Sequence, residues 1–305
     1  MKRIGSGRNN DRILGIEVVI MNIGFIGAGK VGFTLGKYFS THGVEITGYN
    51  SRNTESAREA AAFTKSLAFE DMGELIENSD VLFLTVPDGS ITEVFRKVTG
   101  YQIRGKLICH CSGALTAQLA FPDIEKFGAY GYSVHPLFAV SDKYKAYEEL
   151  SDVFFAVEGD EEHMADIHQM LKDADLHYQQ IDGSSKIGYH CAAAIASNLM
   201  VGLVKESVDI LGRCGFSPDD ALLALTPLIR GNVQHMLEDG LEPSLTGPME
   251  RGDAVTISKH LDSFTDDEER QLYTLLSKKI LPIAQNKHPE RSYDEIRDLL
   301  ERKDQ

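Results

Sequence analysis

Four cysteines in 305 residues, none in C-x-x-C spacing, are too few for a secreted scaffold held by disulfides, so Cys109, Cys111, Cys191 and Cys214 read as reduced thiols. Cys109-His110-Cys111 is not a metal clip either. Alternate residues on a strand face opposite ways and same-face neighbours do not close a tetrahedron, so no metal is expected. Positive charge is also short: 31 Lys and Arg face 46 Asp and Glu, and the net charge of −15 argues against a general nucleic-acid or anionic-membrane partner. The strongest apolar run, the 14 residues from Cys191 to Val204, falls below the roughly 20 needed to span a bilayer. No membrane association is expected. A signal peptide within residues 1–20 would have to consume the first strand, and Glu17 interrupts its apolar part, so a cytoplasmic protein is expected. Those residues are expected to form a loose, disordered extension, unless Met21 is the true start. Neither an internal repeat nor a low-complexity segment is visible.

What the chain does have is Gly27-x-Gly29-x-x-Gly32, set between an apolar run at Ile23–Ile26 and an apolar-periodic stretch from Lys30 to Ser40. That succession predicts strand, tight turn and helix. Gly27 allows the turn, Gly29 lets a pyrophosphate approach the backbone, and Gly32 lets the helix sit close on the strand. Gly27, Ala28, Gly29, Lys30, Val31 and Gly32 would then present backbone N–H groups and the positive helix end to the phosphates. The next strand, Glu45 to Tyr49, ends in Asn50-Ser51-Arg52-Asn53, without the carboxylate that accepts from the ribose of NAD. Asn50, Ser51 and Arg52 suit a 2′-phosphate instead, so NADP(H) is predicted; a plain solvated turn is the other reading.

The run Asp80 to Val86 ends at Pro87-Asp88, and Lys106 to His110 ends in Ser112-Gly113-Ala114. Ligands of open α/β sheets bind beyond the carboxyl ends of the strands, which places Val86, Pro87, Ser112 and Gly113 beside the nicotinamide ribose and pyrophosphate. Another strand, Tyr130 to Leu137, brings His135 to the same edge, held extended by Pro136. Residues 152–157, a helix from Glu161 to Ala174 and a strand from His177 to Ile181 complete the sheet. The length exceeds what one core readily supports, so two domains are expected: an α/β Rossmann domain with a mostly parallel, doubly wound sheet over residues 21–183, and an all-α domain over 184–305.

From Ser184 onward the periodicity is helical. A long helix to about Arg213 ends at Gly215, Ser217-Pro218 opens the next, and Thr265 to Glu268 and Ser292 to Glu295 read as capping boxes. In the long helix Lys186, His190 and Ser197 share a stripe with Asn198 on its flank, and nearly every other position from Cys191 to Val204 is apolar. Such a helix must be buried in a core or a subunit interface, with Lys186 and His190 lining a cleft. Farther on, Asp253 reads as an N-cap for the helix carrying Thr256, and Arg251 suits either a substrate carboxylate or a helix end.

Together these motifs, with Ser133 to Leu137, Tyr189-His190 through Ser197-Asn198, and Leu245 to Pro248 through Arg251-Gly252-Asp253 to His260-Leu261, resemble a bacterial family of NADP-dependent oxidoreductases. That family joins a Rossmann-like domain to an uncharacterised helical domain of the 6-phosphogluconate dehydrogenase C-terminal-like type. More distantly the layout is similar to 3-hydroxyisobutyrate dehydrogenase, ketopantoate reductase and pyrroline-5-carboxylate reductase. In the hydroxyacid enzymes a lysine followed four residues later by asparagine opens the long helix and the lysine serves as acid and base. Lys186 matches it, but His190 stands where the asparagine would be, so their substrate contacts do not carry over. The segment Gly252 to Ile257 resembles the loop-to-helix entry that holds the substrate in pyrroline-5-carboxylate reductase, and Thr256 matches a functional position there. The resemblance also implies a homodimer through the C-terminal domain.

The expected activity is hydride transfer between NADP(H) and a small polar carbonyl or imine compound. Lys186, His190 and His135 are the candidates for proton delivery and orientation; Ser197, Asn198, Arg251 and Thr256 are the candidate substrate contacts. Binding of NADP(H) without turnover, as a sensor or interaction module, is the alternative, because the glycine turn reports binding and not chemistry. A deazaflavin-dependent reductase would need a second large cofactor pocket, of which the sequence carries no sign.

Overall fold

A computed structural model describes residues 21–302 and, ahead of them, only the backbone pairing of β1 (Arg12–Ile13) with β2 (Ile16–Glu17). The expectation of a loose extension over residues 1–20 otherwise lies outside the described residues. The chain divides into two compact units, one ending at Ile195 and the other beginning at Ala196.

The first unit is built on one eight-stranded sheet, formed by β3 (Ile23–Ile26), β4 (Ile46–Asn50), β5 (Leu67–Ala68), β6 (Val81–Leu84), β7 (Leu107–His110), β8 (Tyr130–Pro136), β9 (Phe154–Gly159) and β10 (His177–Gln180). Their order is β10-β9-β8-β7-β6-β3-β4-β5, and every pairing is parallel except β8 with β9. β3, β6 and β7 are buried at every position, as continuous apolar runs in a sheet covered on both faces must be. One face packs Phe25, Phe83, Cys109 and Tyr132 under α1 (Lys30–Thr41), α2 (Thr54–Thr64) and α6 (Met164–Asp173). The opposite face packs Leu82, Leu84 and Ile108 under α3 (Met72–Glu77), α4 (Asp88–Val98) and α5 (Ala117–Ala120). The mostly parallel, doubly wound sheet expected from the sequence is therefore present.

The long helix expected from Ser184 differs in two ways. A single 3₁₀ turn at Gly183–Ser185, capped by the Asp182 carboxylate, leads into α7 (Lys186–Ala196), and the helix breaks at Ser197 (φ −113°, ψ −74°) before α8 (Asn198–Arg213). Neither half buries its apolar side chains within the chain: Ile187 is 66% and Val201 71% exposed, so burial in the domain core, one of the two places expected, is not what the structure shows. The whole helical stretch Gly183–Arg213 spans 31 residues and contains an 18-residue window with a mean hydropathy of 1.5, so by length and composition alone it is long enough to cross a membrane. The shorter run counted from the sequence does not exclude that.

The second unit is helical: α8, α9 (Pro218–Asp239), α10 (Leu241–Ser244), α11 (Gly247–Arg251), α12 (Ala254–Ser263), α13 (Asp267–Lys287) and α14 (Asp294–Glu301). Its core gathers Met249, Ile257, Leu261, Leu281, Ala284, Tyr293, Ile296 and Leu300 from α11 to α14. Ser217 caps α9 and Asp253 caps α12, as expected. At the other two predicted caps the chemistry shifts: Asp266, not Thr265, caps α13, and Ser292 bonds Asp294 while α14 starts without a side-chain cap.

Candidate functional site

The glycine turn sits at the carboxyl end of β3, where each glycine has a different physical reason. Gly27 has φ +111°, and a Cβ there would lie 2.5 Å from the Thr85 carbonyl oxygen; one on Gly32 would lie 2.3 Å from Thr85 Oγ1 and 2.9 Å from Gly27 O. Both are fixed by close packing on the end of β6, where the Thr85 hydroxyl donates to Gly27 O at 2.9 Å. Gly29 is different, because a Cβ there meets nothing nearer than 3.9 Å. It is the N-cap of α1, extended, with no side chain closing the helix end and no acidic residue in the first turn. That leaves an open, positively polarised helix start which fits a pyrophosphate. Lys30 faces away from this role in part: its amine donates to the Ser141 carbonyl at 2.8 Å.

At the end of β4 the three candidates for the 2′-phosphate separate. Asn50 is buried, and its amide donates to the carbonyls of Phe69 (3.0 Å) and Glu70 (3.3 Å), so it ties the loop after β5 to β4 and is committed before any ligand arrives. Ser51 is half-buried and Arg52 exposed. Asn53, beside them, caps α2.

Beneath the neighbouring strand ends lies a polar row that the sequence does not announce. The register of β7, β8 and β9 sets His110, Ser133 and Glu158 side by side, and Lys186 from the first turn of α7 comes down on them. The Lys186 ammonium donates to the Ser133 hydroxyl and lies 3.5 Å from Glu158 Oε1, which also accepts from the Ala117 N–H at 2.7 Å. Lys186 is 0% exposed. Burial lowers its pKa, opposed by the Glu158 carboxylate. The expectation that Lys186 lines a cleft thus does not hold, because its amine is enclosed and engaged on the sheet. Its physical role here is to pin α7.

Above that row the structure converges on Gly113. A Cβ on this residue would lie 2.7 Å from His190 Nδ1 and 2.8 Å from His135 Nε2, so only glycine leaves both imidazoles room. His190 is exposed and His135 half-buried, their ring centroids 6.5 Å apart. The other nitrogen of His135, Nδ1, is 2.8 Å from the Tyr189 hydroxyl. Burial, followed by the neighbouring Lys186 and His190, pushes His135 down to about 4, so it is neutral at neutral pH. Burial pushes Tyr189 up to about 12. Alongside, the Ser112 hydroxyl donates to Asp88 Oδ2 at 2.5 Å and accepts from the N–H groups of Ala114 and Leu115, fixing the turn that carries Gly113. Val86 packs toward Gly27, and Pro87 is the N-cap of α4.

The first unit therefore brings together the glycine turn, Val86, Pro87, Ser112, Gly113, His135 and His190. The substrate candidates Ser197, Asn198, Arg251 and Thr256 belong to the helical unit. There Arg251 is exposed, and the Thr256 hydroxyl donates to Asp253 Oδ2 at 2.7 Å as part of the α12 cap. Sequence reasoning missed Tyr189, Ser133 and Glu158. Tyr189 stands next to His190 on the same helix turn, a signal that was available; Ser133 and Glu158 become a site only through strand register.

Residues 22–112 match the family described as NADP oxidoreductase, coenzyme F420-dependent, and residues 153–280 match a domain of unknown function, DUF2520. A comparison with curated proteins gave no match. Among solved structures, a Thermotoga maritima protein is 28% identical with a TM-score of 0.69, covering 88% of this chain and 100% of its own. A Bacteroides fragilis protein described as a candidate NADP oxidoreductase is 22% identical (TM-score 0.62; 86% and 98% covered). A pyrroline-5-carboxylate reductase from Coxiella burnetii shares the fold at 15% identity (TM-score 0.53; 89% and 98% covered). The chain thus joins a Rossmann-like fold, of which residues 22–112 match the NADP oxidoreductase model, to a helical region, with the DUF2520 match running from β9 of the sheet into those helices.

Proposed function

We propose that the protein is an NADP(H)-dependent oxidoreductase acting on a small polar carbonyl or imine compound. The observation that carries this reading is the open start of α1 at Gly29 on the same sheet edge as Gly113, where two imidazole nitrogens converge. When bound, NADPH supplies the hydride. The chain's own residues do the rest: the α1 N–H groups hold the pyrophosphate, Ser51 and Arg52 take the 2′-phosphate, and Ser112 and Gly113 shape the floor under the reacting atoms. His135 or His190 delivers the proton to the oxygen or nitrogen that gains the electron pair. Lys186 serves through position, holding the first turn of α7 so that Tyr189 and His190, three and four residues on, face the strand ends.

The imine class draws support from the pyrroline-5-carboxylate reductase among the structural neighbours, and the cofactor from the family matched by residues 22–112. We read the protein as cytoplasmic and as a homodimer through the helical unit, in which exposed Leu199, Val201, Leu223 and Leu237 face a second copy. Titrating NADPH and NADH into wild type and Arg52→Ala tests the cofactor assignment. NADPH affinity should fall about tenfold in the variant, the loss of one charge-assisted contact, while NADH is unaffected. An unchanged preference rejects the role of Arg52. Oxidation of NADPH is then followed against 2-oxo acids, aldehydes, cyclic imines and coenzyme F420. Tight binding with no turnover on any of them favours the sensor.

A further inference from the structure

We propose that Tyr189 supplies the proton that His135 delivers, so that the two side chains form a directed relay ending at the space beside Gly113. The inference rests on the oxidoreductase reading above and deepens it by choosing between the two imidazoles.

The geometry gives the relay its direction. His135 presents Nε2 toward Gly113 and Nδ1, at 2.8 Å, to the Tyr189 hydroxyl. A neutral imidazole carries one proton, so one nitrogen must donate and the other accept. Were Nδ1 the donor, the Tyr189 O–H would have no protein acceptor among the described residues and would be left to bond solvent. With Tyr189 donating to Nδ1, the O–H is satisfied and Nε2–H points to the reaction space. Burial first, then Lys186 and His190, oppose a second proton on this ring, whereas Asp88 acts the other way. Among the described residues no comparable phenol bonds His190.

The proton bookkeeping closes. As hydride adds to the substrate carbon, the electron pair of the C=O or C=N bond moves to oxygen or nitrogen. The His135 Nε2–H bond breaks and a new O–H or N–H bond forms on substrate, while the Tyr189 O–H bond breaks and its proton joins Nδ1. His135 ends neutral in its other tautomer, and water reprotonates the tyrosinate. Tyr189 thus acts through His135 and need not touch substrate.

The test is long-range proton–nitrogen NMR of the ¹⁵N-labelled protein, with the His135 signals assigned by their loss in His135→Gln. Between pH 6 and 8 the relay requires a neutral ring with its proton on Nε2, and Tyr189→Phe should shift the ring toward a mixture of tautomers. A proton on Nδ1 in wild type, or an imidazolium at pH 7, overturns the proposal. This readout needs no substrate, so it stands apart from the redox reading, which fails separately if NADPH is not oxidised by 1-pyrroline, pyruvate or any other compound of the panel. With whichever compound is reduced, Tyr189→Phe should lower kcat at least tenfold at unchanged NADPH affinity. The dependence of rate on deuterium content should change from two transferred protons to one. An unchanged two-proton dependence in the variant also overturns the relay.

Discussion

In the unit ending at Ile195 two apolar clusters clamp the sheet from both sides, whereas in the helical unit α8 buries no side chain and α9 buries only Ala221. α8 and α9 are themselves rich in apolar residues, so the contrast is not one of composition. Neighbouring strands satisfy one another's backbone groups through hydrogen bonds, and helices from the same chain suffice to cover the two faces. An apolar helix has nothing to gain from water and must find a surface, which the homodimer proposed above would supply.

The sharpest way to break that contrast is to charge the exposed face. Val201→Glu with Leu223→Glu, both more than two-thirds exposed, should convert a dimer into monomers in sedimentation equilibrium, at about 3–6 kcal/mol per chain for two lost apolar burials. If wild type is already monomeric, the self-pairing reading is wrong. Within the first unit the most sensitive point is the buried ion pair. Lys186→Met leaves Glu158 uncompensated and should cost about 3–5 kcal/mol in denaturant unfolding, much of it recovered by adding Glu158→Gln. Full stability of Lys186→Met alone would show that the amine is not what pins α7.

Acid should act on this unit through its histidines. His110 and His135 are pushed from 6.5 to about 3 and about 4, chiefly by burial and then by Lys186. A depressed folded pKa means that folding favours the neutral ring, so the contribution is complete above pH 6.5 and is lost as pH falls toward 4 and then 3. The loss is on the order of 3 kcal/mol for His135 and about 5 kcal/mol for His110 across that window, read as a falling Tm, and His135→Gln should flatten its upper part. A Tm independent of pH in that range contradicts the burial of both rings. The mildest change is Gly32→Ala, whose methyl would press on Thr85 and Gly27; it should cost about 1–3 kcal/mol and weaken NADPH binding, measured by thermal shift with and without the cofactor. Retained binding would mean that α1 can shift away from β6 at no cost.

Much of the candidate site was legible before the structure. Gly27, Gly29 and Gly32 declared themselves because a turn between strand and helix allows few alternatives, and Pro87, Gly113 and His135 followed from strand ends. Asn50 misled because its amide has a local partner, the loop after β5, that no spacing reveals. Lys186 misled for a related reason. Helical periodicity places a residue on a face but does not say whether that face meets water, a cleft or another polar side chain.

The sequence by itself determined the order of strands and helices, the glycine turn and the apolar helical stretch, since each follows from interactions between residues near one another in the chain. Tertiary structure alone decided that Ser133 and Glu158 enclose the lysine, that Tyr189 backs His135, and that Gly113 separates two imidazoles. Those contacts join residues tens of positions apart, and only strand register and the docking of α7 bring them within bonding distance.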